Sequence, residues 1–234
     1  MDKSVSMVMA ALNEEKNVRA AVESAIQLLE EHCPDYELLV FNDGSTDRTG
    51  AIIDQLAKSN PRIRVTQYSV NRGLSASTKD AIKIATKNYL TWFPGDHSID
   101  KDSMVPILTK IGQADIIVSY MGNPESRPFL RQIVSETFVW LMNAIFHFRL
   151  RYYNGPTVYP VRLLKSLTLK SNGYEFYSEI LIRALRTGAT YIEVPFTHKP
   201  DPQSRSKAFT LKNFISVVKT TGGLIKDIYF SNKK

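Results

Sequence analysis

The chain has 234 residues, 43% hydrophobic and 23% charged, with 11 Gly and 11 Pro, the composition of a globular protein able to bury a sizeable core in one large domain or two small ones. A formal charge of +7 and a pI near 9.4 point to an anionic partner, whether nucleotide, phospholipid headgroup or nucleic acid. The single cysteine, Cys33, excludes an internal disulfide framework and a cysteine-rich zinc site and fits a reducing, cytoplasmic setting; Met1 to Leu12 is too short and polar for a signal peptide, and no run of about eighteen apolar residues predicts a spanning helix.

In chain order, Val5 to Ala11 is a short apolar run that reads as a central parallel strand. Asn13 offers an N-cap, with Glu14 and Glu15 in a first turn where the helix dipole favours negative charge. Val18, Ala21, Val22, Ala25, Ile26 and Leu29 then recur on one helical face, and Pro34 ends that region. Tyr36 to Phe41 is the second strand. After it comes Asn42-Asp43-Gly44-Ser45-Thr46-Asp47, where Gly44 permits a tight turn and Ser45 or Asp47 can cap a helix running to about Ala57. Ile63 to Tyr68 is a third strand, and Asn71-Arg72-Gly73 leads into a helix carrying Leu74, Thr78, Ala81, Ile82 and Ala85.

Tyr89 to Phe93 reads as a buried strand that stops at Pro94-Gly95, with acidic residues immediately after. In open α/β sheets, ligands sit beyond the carboxyl ends of the strands. Asp96 is therefore placed to hold a divalent cation or a polar ligand; the plain alternative is a Pro-Gly turn with solvated acids. Strands alternating with helices make βαβ units and a parallel sheet. The absence of Gly-x-Gly-x-x-Gly after the first strand, and of a Walker lysine motif, argues against a dinucleotide dehydrogenase and a P-loop NTPase. Polar and acidic residues instead end several strands (Asn13-Glu14, Asp43, Asp96), a row that suits a base, a ribose and a metal-bound diphosphate.

Asp115 to Tyr120 is a further strand, Gly122 to Pro128 a polar loop, and Arg127 and Arg131 precede a largely apolar helical stretch to Phe146. Asn154-Gly155-Pro156-Thr157 predicts a turn into another strand, Gly173 to Thr187 a turn and a helix, and Ala189 to Phe196 the last strand. From Phe209 to Phe230 apolar residues alternate with lysines, and Lys212, Lys219, Lys226 and Lys233 recur every seven residues, keeping nearly to one side of a helix that Gly222-Gly223 should weaken or bend. Such a helix either lies in the membrane interface, drawn to anionic lipid, or packs on the domain with a solvated lysine face.

The combination Ala11-Leu12-Asn13-Glu14-Glu15, Phe41 to Asp47, Asn71-Arg72-Gly73-Leu74, Asp115-Ile116-Ile117-Val118, Gly173-Tyr174-Glu175-Phe176, Glu193-Val194-Pro195-Phe196 and Ser206-Lys207 resembles the family 2 glycosyltransferases of GT-A fold. It is most similar to the polyprenyl-phosphate glycosyltransferases typified by dolichyl-phosphate mannose synthase. The resemblance runs from about Val5 to Lys207 in the family's order and spacing. It implies an α/β, Rossmann-like, mostly parallel sheet flanked by helices over residues 1–207, with residues 208–234 a C-terminal amphipathic helical tail.

The resemblance also implies roles. Asp43 would hold the nucleotide's base or ribose in a pocket with Ala11, Asn13, Glu14, Ser45 and Gly73. The family's metal motif is Asp-x-Asp; here Pro94-Gly95-Asp96 keeps only the second acid, so Mg²⁺ or Mn²⁺ would rest on Asp96 with His97 or Ser98 supplementing it. Arg131 and Ser135, four apart on one helix face, match the residues that hold the acceptor phosphate, with Arg127 beside them and Glu179 a further acceptor-side candidate. The plain alternatives are a core helix with a solvated arginine and an ion-paired helix acid. Lys207 and Ser206 match the loop that clamps the donor diphosphate, and Lys199 or Arg205 would replace an arginine missing from it.

The implied activity is inverting transfer of a hexose from a GDP- or UDP-sugar to a polyprenyl phosphate, by a cytoplasmic protein in peripheral contact with the inner membrane face. Asp96, Arg131 and Lys207 would be its catalytic residues. A phosphate acceptor is already anionic and needs positioning more than a general base. The rivals are the same fold with a hydroxyl acceptor, for which Glu179 is the first carboxylate to test, and a nucleotide-binding member without turnover. Nucleic-acid binding lacks any recognised motif.

Overall fold

Ser4–Ala11 forms the central strand β1 of the protein, which we describe from a computed structural model over residues 3–173, 175–199 and 221–230. It pairs in parallel with β2 (Asp35–Asp43) on one side and β4 (Tyr89–Trp92) on the other; β3 (Ile63–Tyr68) extends the sheet beyond β2. The short β6 (Tyr159–Pro160) closes the far edge antiparallel to β4, giving the order β3-β2-β1-β4-β6. Helices α1 (Val18–His32), α2 (Thr49–Ser59) and α3 (Leu74–Ile84) connect the parallel strands.

Both faces of the central strands are covered, so β1 and β2 are buried almost throughout and rich in apolar residues, whereas the edge strand β3 buries only Ile63. Alternation of side chains sends Val5, Met7, Met9 and Ala11 of β1 to one core, with the α1 stripe Val18, Ala21, Val22, Ala25, Leu28 and Leu29. Val8, Leu39 and Phe41 point the other way, into a second core with Phe176, Ile180 and Leu181. The larger of these buried apolar side chains contribute about 1.5–3 kcal/mol each.

The second half is built around β5 (Ile116–Met121) and β7 (Tyr191–Phe196), a parallel pair. It is hooked to the main sheet by reciprocal hydrogen bonds between Ile117 and Val158 (3.1 and 2.9 Å). Helix α4 (Val105–Thr109) precedes β5, α5 (Phe129–Phe146) comes after it, α6 (Val161–Ser166) comes after β6, and α7 (Phe176–Leu185) precedes β7. Gly155 lies so close to β5 that a Cβ there would run into Ser119 Oγ and the Ser119 carbonyl oxygen.

Residues 221–230 are helical and pack on this half: Leu224 is buried, Tyr229 donates to the Ile145 carbonyl and stacks on Phe146, and Asp227 pairs with Lys170 and Arg183. For this stretch of the tail, packing on the domain is the arrangement observed. Among the described residues no helix is long and apolar enough to cross a membrane.

Candidate active site

The carboxyl ends of β1, β2 and β4 converge because register brings them there: Ala11 lies opposite Asn42, and Val8 opposite Trp92. Gly95 passes so close to β1 that a Cβ would stand 2.6 Å from the Ala10 carbonyl oxygen. At the end of β2, Gly44 takes φ +75° against the backbone of Val70, where a side chain has no room. Beside it the buried Asp43 carboxylate (5% exposed) accepts the main-chain N–H groups of Arg72 (2.7 Å) and Gly73 (2.9 Å). Asp43 thus fixes the start of α3 at the mouth of the expected nucleotide pocket.

Asn13 is not the cap of α1, which begins five residues later at Val18, so Glu14 and Glu15 lie outside its first turn. Asn13 adopts φ 56°; its N–H donates to Ser45 Oγ (3.0 Å) and its Oδ1 accepts from Thr46 N (2.8 Å). Glu14 N donates to Thr49 Oγ1, and Asp47 accepts from both Thr49 N and Glu15 N. These bonds zip the two loops together, a stronger use of the polar groups than a local cap. The N-cap position of α2 is Arg48, with no side-chain cap; of the two residues expected there, Asp47 accepts the Thr49 N–H from one residue earlier and Ser45 accepts from Asn13.

Asp96 is exposed just past β4, with one carboxylate oxygen accepting Ser98 N–H at 3.0 Å. Ser98 meets it through the backbone, and the His97 imidazole is engaged elsewhere. At φ 56°, His97 directs Nε2 to Ser24 Oγ and Lys199 Nζ, each at 3.0 Å. Burial, reinforced by the Lys199 charge, lowers the His97 pKa, so the ring is neutral at pH 7 with Nε2 accepting. The two residues expected to supplement Asp96 are thus placed with the His97 ring on Ser24 and Lys199 and the Ser98 backbone on Asp96. Among the described residues no group of three or more His, Cys, Asp and Glu could hold a metal. What fits is the Mg²⁺-like arrangement of one exposed carboxylate with substrate phosphates and water completing the shell.

On the other side of the crevice, Arg127 stacks over Tyr152 and donates to its hydroxyl (3.2 Å), while its buried Nε makes no hydrogen bond within the described residues. Arg127 and Tyr152 line two cavities at once. One, of about 450 Å³, takes in Ser135, Trp140 and Arg151; the other, of about 980 Å³, takes in Leu74, Trp92, Glu175 and Asp227. His198, whose pKa burial lowers, feels Asp96 and both Arg127 and Arg131, so this acid and these two arginines act on one imidazole.

Glu179 lines the larger cavity but is 1% exposed, and both of its oxygens are occupied. They accept from Lys170 N, Ser171 N, Ser171 Oγ and Arg183 Nε. That makes it an anchor of the 170–173 loop rather than an acceptor contact. Arg205, Ser206 and Lys207 lie outside the described residues. Arg151, Tyr152, Trp92 and Asp227 have no place in the site expected from sequence. The basic-aromatic run Arg149-Leu150-Arg151-Tyr152-Tyr153 is the signal that could have marked the first two.

The profile described as glycosyl transferase family 2 matches residues 6–163. Glycosyltransferase AglD of Haloferax volcanii is 25% identical over 206 residues, covering 84% of this chain and 33% of that protein. Dodecaprenyl-phosphate galacturonate synthase of Rhizobium johnstonii is 23% identical, covering 74% of this chain and 52% of that protein. The chain thus spans about a third to a half of these relatives' length.

Solved structures of like fold include glucosyl-3-phosphoglycerate synthase from Mycobacterium tuberculosis with Mn²⁺, UDP and glucosyl-3-phosphoglycerate (TM-score 0.65, 17% identity, 94% of this chain and 80% of that one). A mannosyltransferase from Pyrobaculum calidifontis with GDP-mannose and Mn²⁺ is another (TM-score 0.68, 15% identity, 95% and 64%).

Proposed function

The chain belongs to glycosyltransferase family 2, and from that premise we propose that it moves a hexose from a nucleotide-sugar to a polyprenyl phosphate, with inversion at the anomeric carbon. The observation that carries the acceptor half is the Arg127–Tyr152 pair, which walls both cavities and whose buried guanidinium Nε has no hydrogen-bond partner among the described residues. A phosphate monoester beside the donor is the group such a site would orient. Arg127 can grip it in fork geometry, with Arg131, which lines neither cavity but whose charge reaches the same His198, as a second cation, and the phosphate's own charge spares the protein a base. A lipid-phosphate-linked product also stands in the name of the Rhizobium relative.

On the donor side, Asp43 with Ala11, Asn13, Glu14, Ser45 and Gly73 would form the nucleotide end, and Asp96 the diphosphate end. When bound, a Mg²⁺ or Mn²⁺ ion on Asp96 would offset the charge of the departing nucleoside diphosphate. Lys199, held at the same turn by its N–H to the Ser98 carbonyl, brings a cation to that end, and Lys207 and Arg205 remain candidates for the rest of the clamp.

The hydroxyl-acceptor alternative needs a carboxylate at the acceptor. Besides Glu179, Glu175 is a buried acid lining the larger cavity, and it is the second carboxylate to test. The test is transfer of labelled sugar from a UDP- and GDP-sugar panel to polyprenyl phosphate in detergent with Mn²⁺. Asp96→Asn and Arg131→Ala should abolish transfer, and Glu175→Gln should retain it. Transfer to an uncharged polyprenol, or to a saccharide, with loss on Glu175→Gln, would overturn the phosphate reading.

A further inference from the structure

Helix α5, Phe129 to Phe146, is apolar almost all round, the pattern of a helix enclosed by protein. Yet one side of it faces solvent. Phe129 is 75% exposed, Leu130 66% and Trp140 69%, with Ile133, Val134 and Leu141 also exposed. At about 100° of rotation per residue these six, with the exposed Thr137 and Ala144 between them, fill one continuous arc of the helix. The one ionised group on it is Glu136, at the edge. Just past the helix stand three exposed cationic or titratable side chains, His147, Arg149 and Arg151. Tyr229, stacked on Phe146, brings the exposed Phe230 to the same end.

An apolar patch of this extent marks an interaction surface. We propose that this arc is the membrane-contact face of the protein: α5 lies along the interface of an anionic phospholipid bilayer, with its apolar side chains among the upper acyl chains and the flanking arginines at the headgroups. Charge selects the occupant. A second copy of a chain carrying +7 brings like charge to this face, whereas an anionic headgroup layer complements it. Position selects it too, because Trp140 stands in the arc and also lines the smaller cavity. A lipid held at the arc therefore has its headgroup beside Arg127 and Arg151. Of the C-terminal lysine face, Lys212, Lys219 and Lys233 lie outside the described residues, and residues 221–230 pack beside α5 as a strut.

For its purpose the inference rests on the lipid-phosphate reading, but its test uses neither donor nor acceptor. The full chain is sedimented with vesicles of phosphatidylcholine and phosphatidylglycerol, and Trp140 emission is tracked at the same time. Of the two tryptophans, Trp92 has a buried indole N–H, so a blue shift on binding reports Trp140. Binding should fall about tenfold or more in Leu130→Ser/Val134→Ser/Leu141→Ser, three exposed positions away from the cavity, with an unchanged melt. It should weaken on pure phosphatidylcholine.

Absence of vesicle binding overturns the proposal. So does equal binding by the triple variant, and so does a wild-type dimer that the triple variant converts to monomer. Transfer to detergent-solubilised polyprenyl phosphate without vesicle binding would sink this inference and leave the acceptor reading standing; vesicle binding without such transfer would do the reverse.

Discussion

The Arg183 guanidinium reaches the Asp227 carboxylate at 2.8 Å, across 44 residues of sequence, and its Nε reaches Glu179 at 2.7 Å. One cation therefore binds a helix acid and a tail acid together. Both acids also hold Lys170, Glu179 through its backbone N–H and Asp227 through its ammonium. Three chain segments that wall the larger cavity meet in this network.

This network makes stability depend on pH. Burial alone would raise the Glu179 pKa, but the hydrogen bonds from Ser171, Lys170 N–H and Arg183 outweigh it and hold the carboxyl below its usual value. A depressed folded pKa means stability that is fully present above the ordinary glutamate range, about pH 4.3, and lost as pH falls through the folded value. Urea unfolding from pH 7 to 3 should show this loss. Glu179→Gln should be less stable at pH 7 by about 3 kcal/mol, because the buried pair is broken, and should lack the acid-side slope. Identical slopes in both proteins would remove Glu179 as its source.

Asp43→Asn keeps the shape but offers one carbonyl oxygen where two N–H groups need acceptors. Leaving one of them unmatched should cost about 1–3 kcal/mol in thermal unfolding. The same variant should bind nucleoside diphosphate more weakly by calorimetry, because the Arg72–Gly73 turn loses its anchor. Normal stability with normal binding would show that the turn holds itself.

Asp96 is exposed, so Asp96→Asn should leave the melt of the free protein within about 0.5 kcal/mol. In the wild type, a nucleotide-sugar at a hundred times its Kd adds about 2.7 kcal/mol. That gain should require Mn²⁺ and vanish in the variant. Pro94→Asp, which restores the family's paired acids, should lower the Mn²⁺ concentration needed.

Arg127→Lys removes the planar fork and its stack on Tyr152 while keeping the charge. The acceptor KM should rise by about tenfold or more with the donor KM unchanged. Steady-state kinetics with each substrate varied separately distinguishes this from a general loss.

Gly155→Ala should destabilise by about 1–3 kcal/mol, since its methyl would press on the Ser119 side chain and carbonyl of β5. A melt checks it directly.

The central parallel strands are legible in the sequence because burial on both faces makes them rich in apolar residues, and they agree to within a few residues; the edge strand Ile63–Tyr68, where Ile63 and Val65 alternate with polar neighbours, agrees to the residue. The row of strand-end acids is legible for the same reason, since the last apolar residue of a strand marks where the ligand-facing loop begins. Asn13 resembles a helix cap in sequence, but its φ of 56° and its bonds to Ser45 and Thr46 depend on a loop more than thirty residues away. His97 resembles a metal ligand for a like reason, its partner Lys199 lying over a hundred residues on. The exposed arc of α5 has no signature of its own, because an apolar helix has the same periodicity whether protein or something else covers it. The turn Asn154-Gly155-Pro156-Thr157 marks the entry to the two-residue β6, whereas the Arg183–Asp227 pair leaves no local pattern to read.

Gly95 has a bearing on redesign. Because its backbone rides against the Ala10 carbonyl, the loop bearing Asp96 is seated on β1 as well as carried by β4. Transplanting that loop from a relative to exchange metal or donor preference will misfit unless the end of β1 travels with it. The two segments are a single cassette, interrupted in the chain by β2, β3 and the helices that join them.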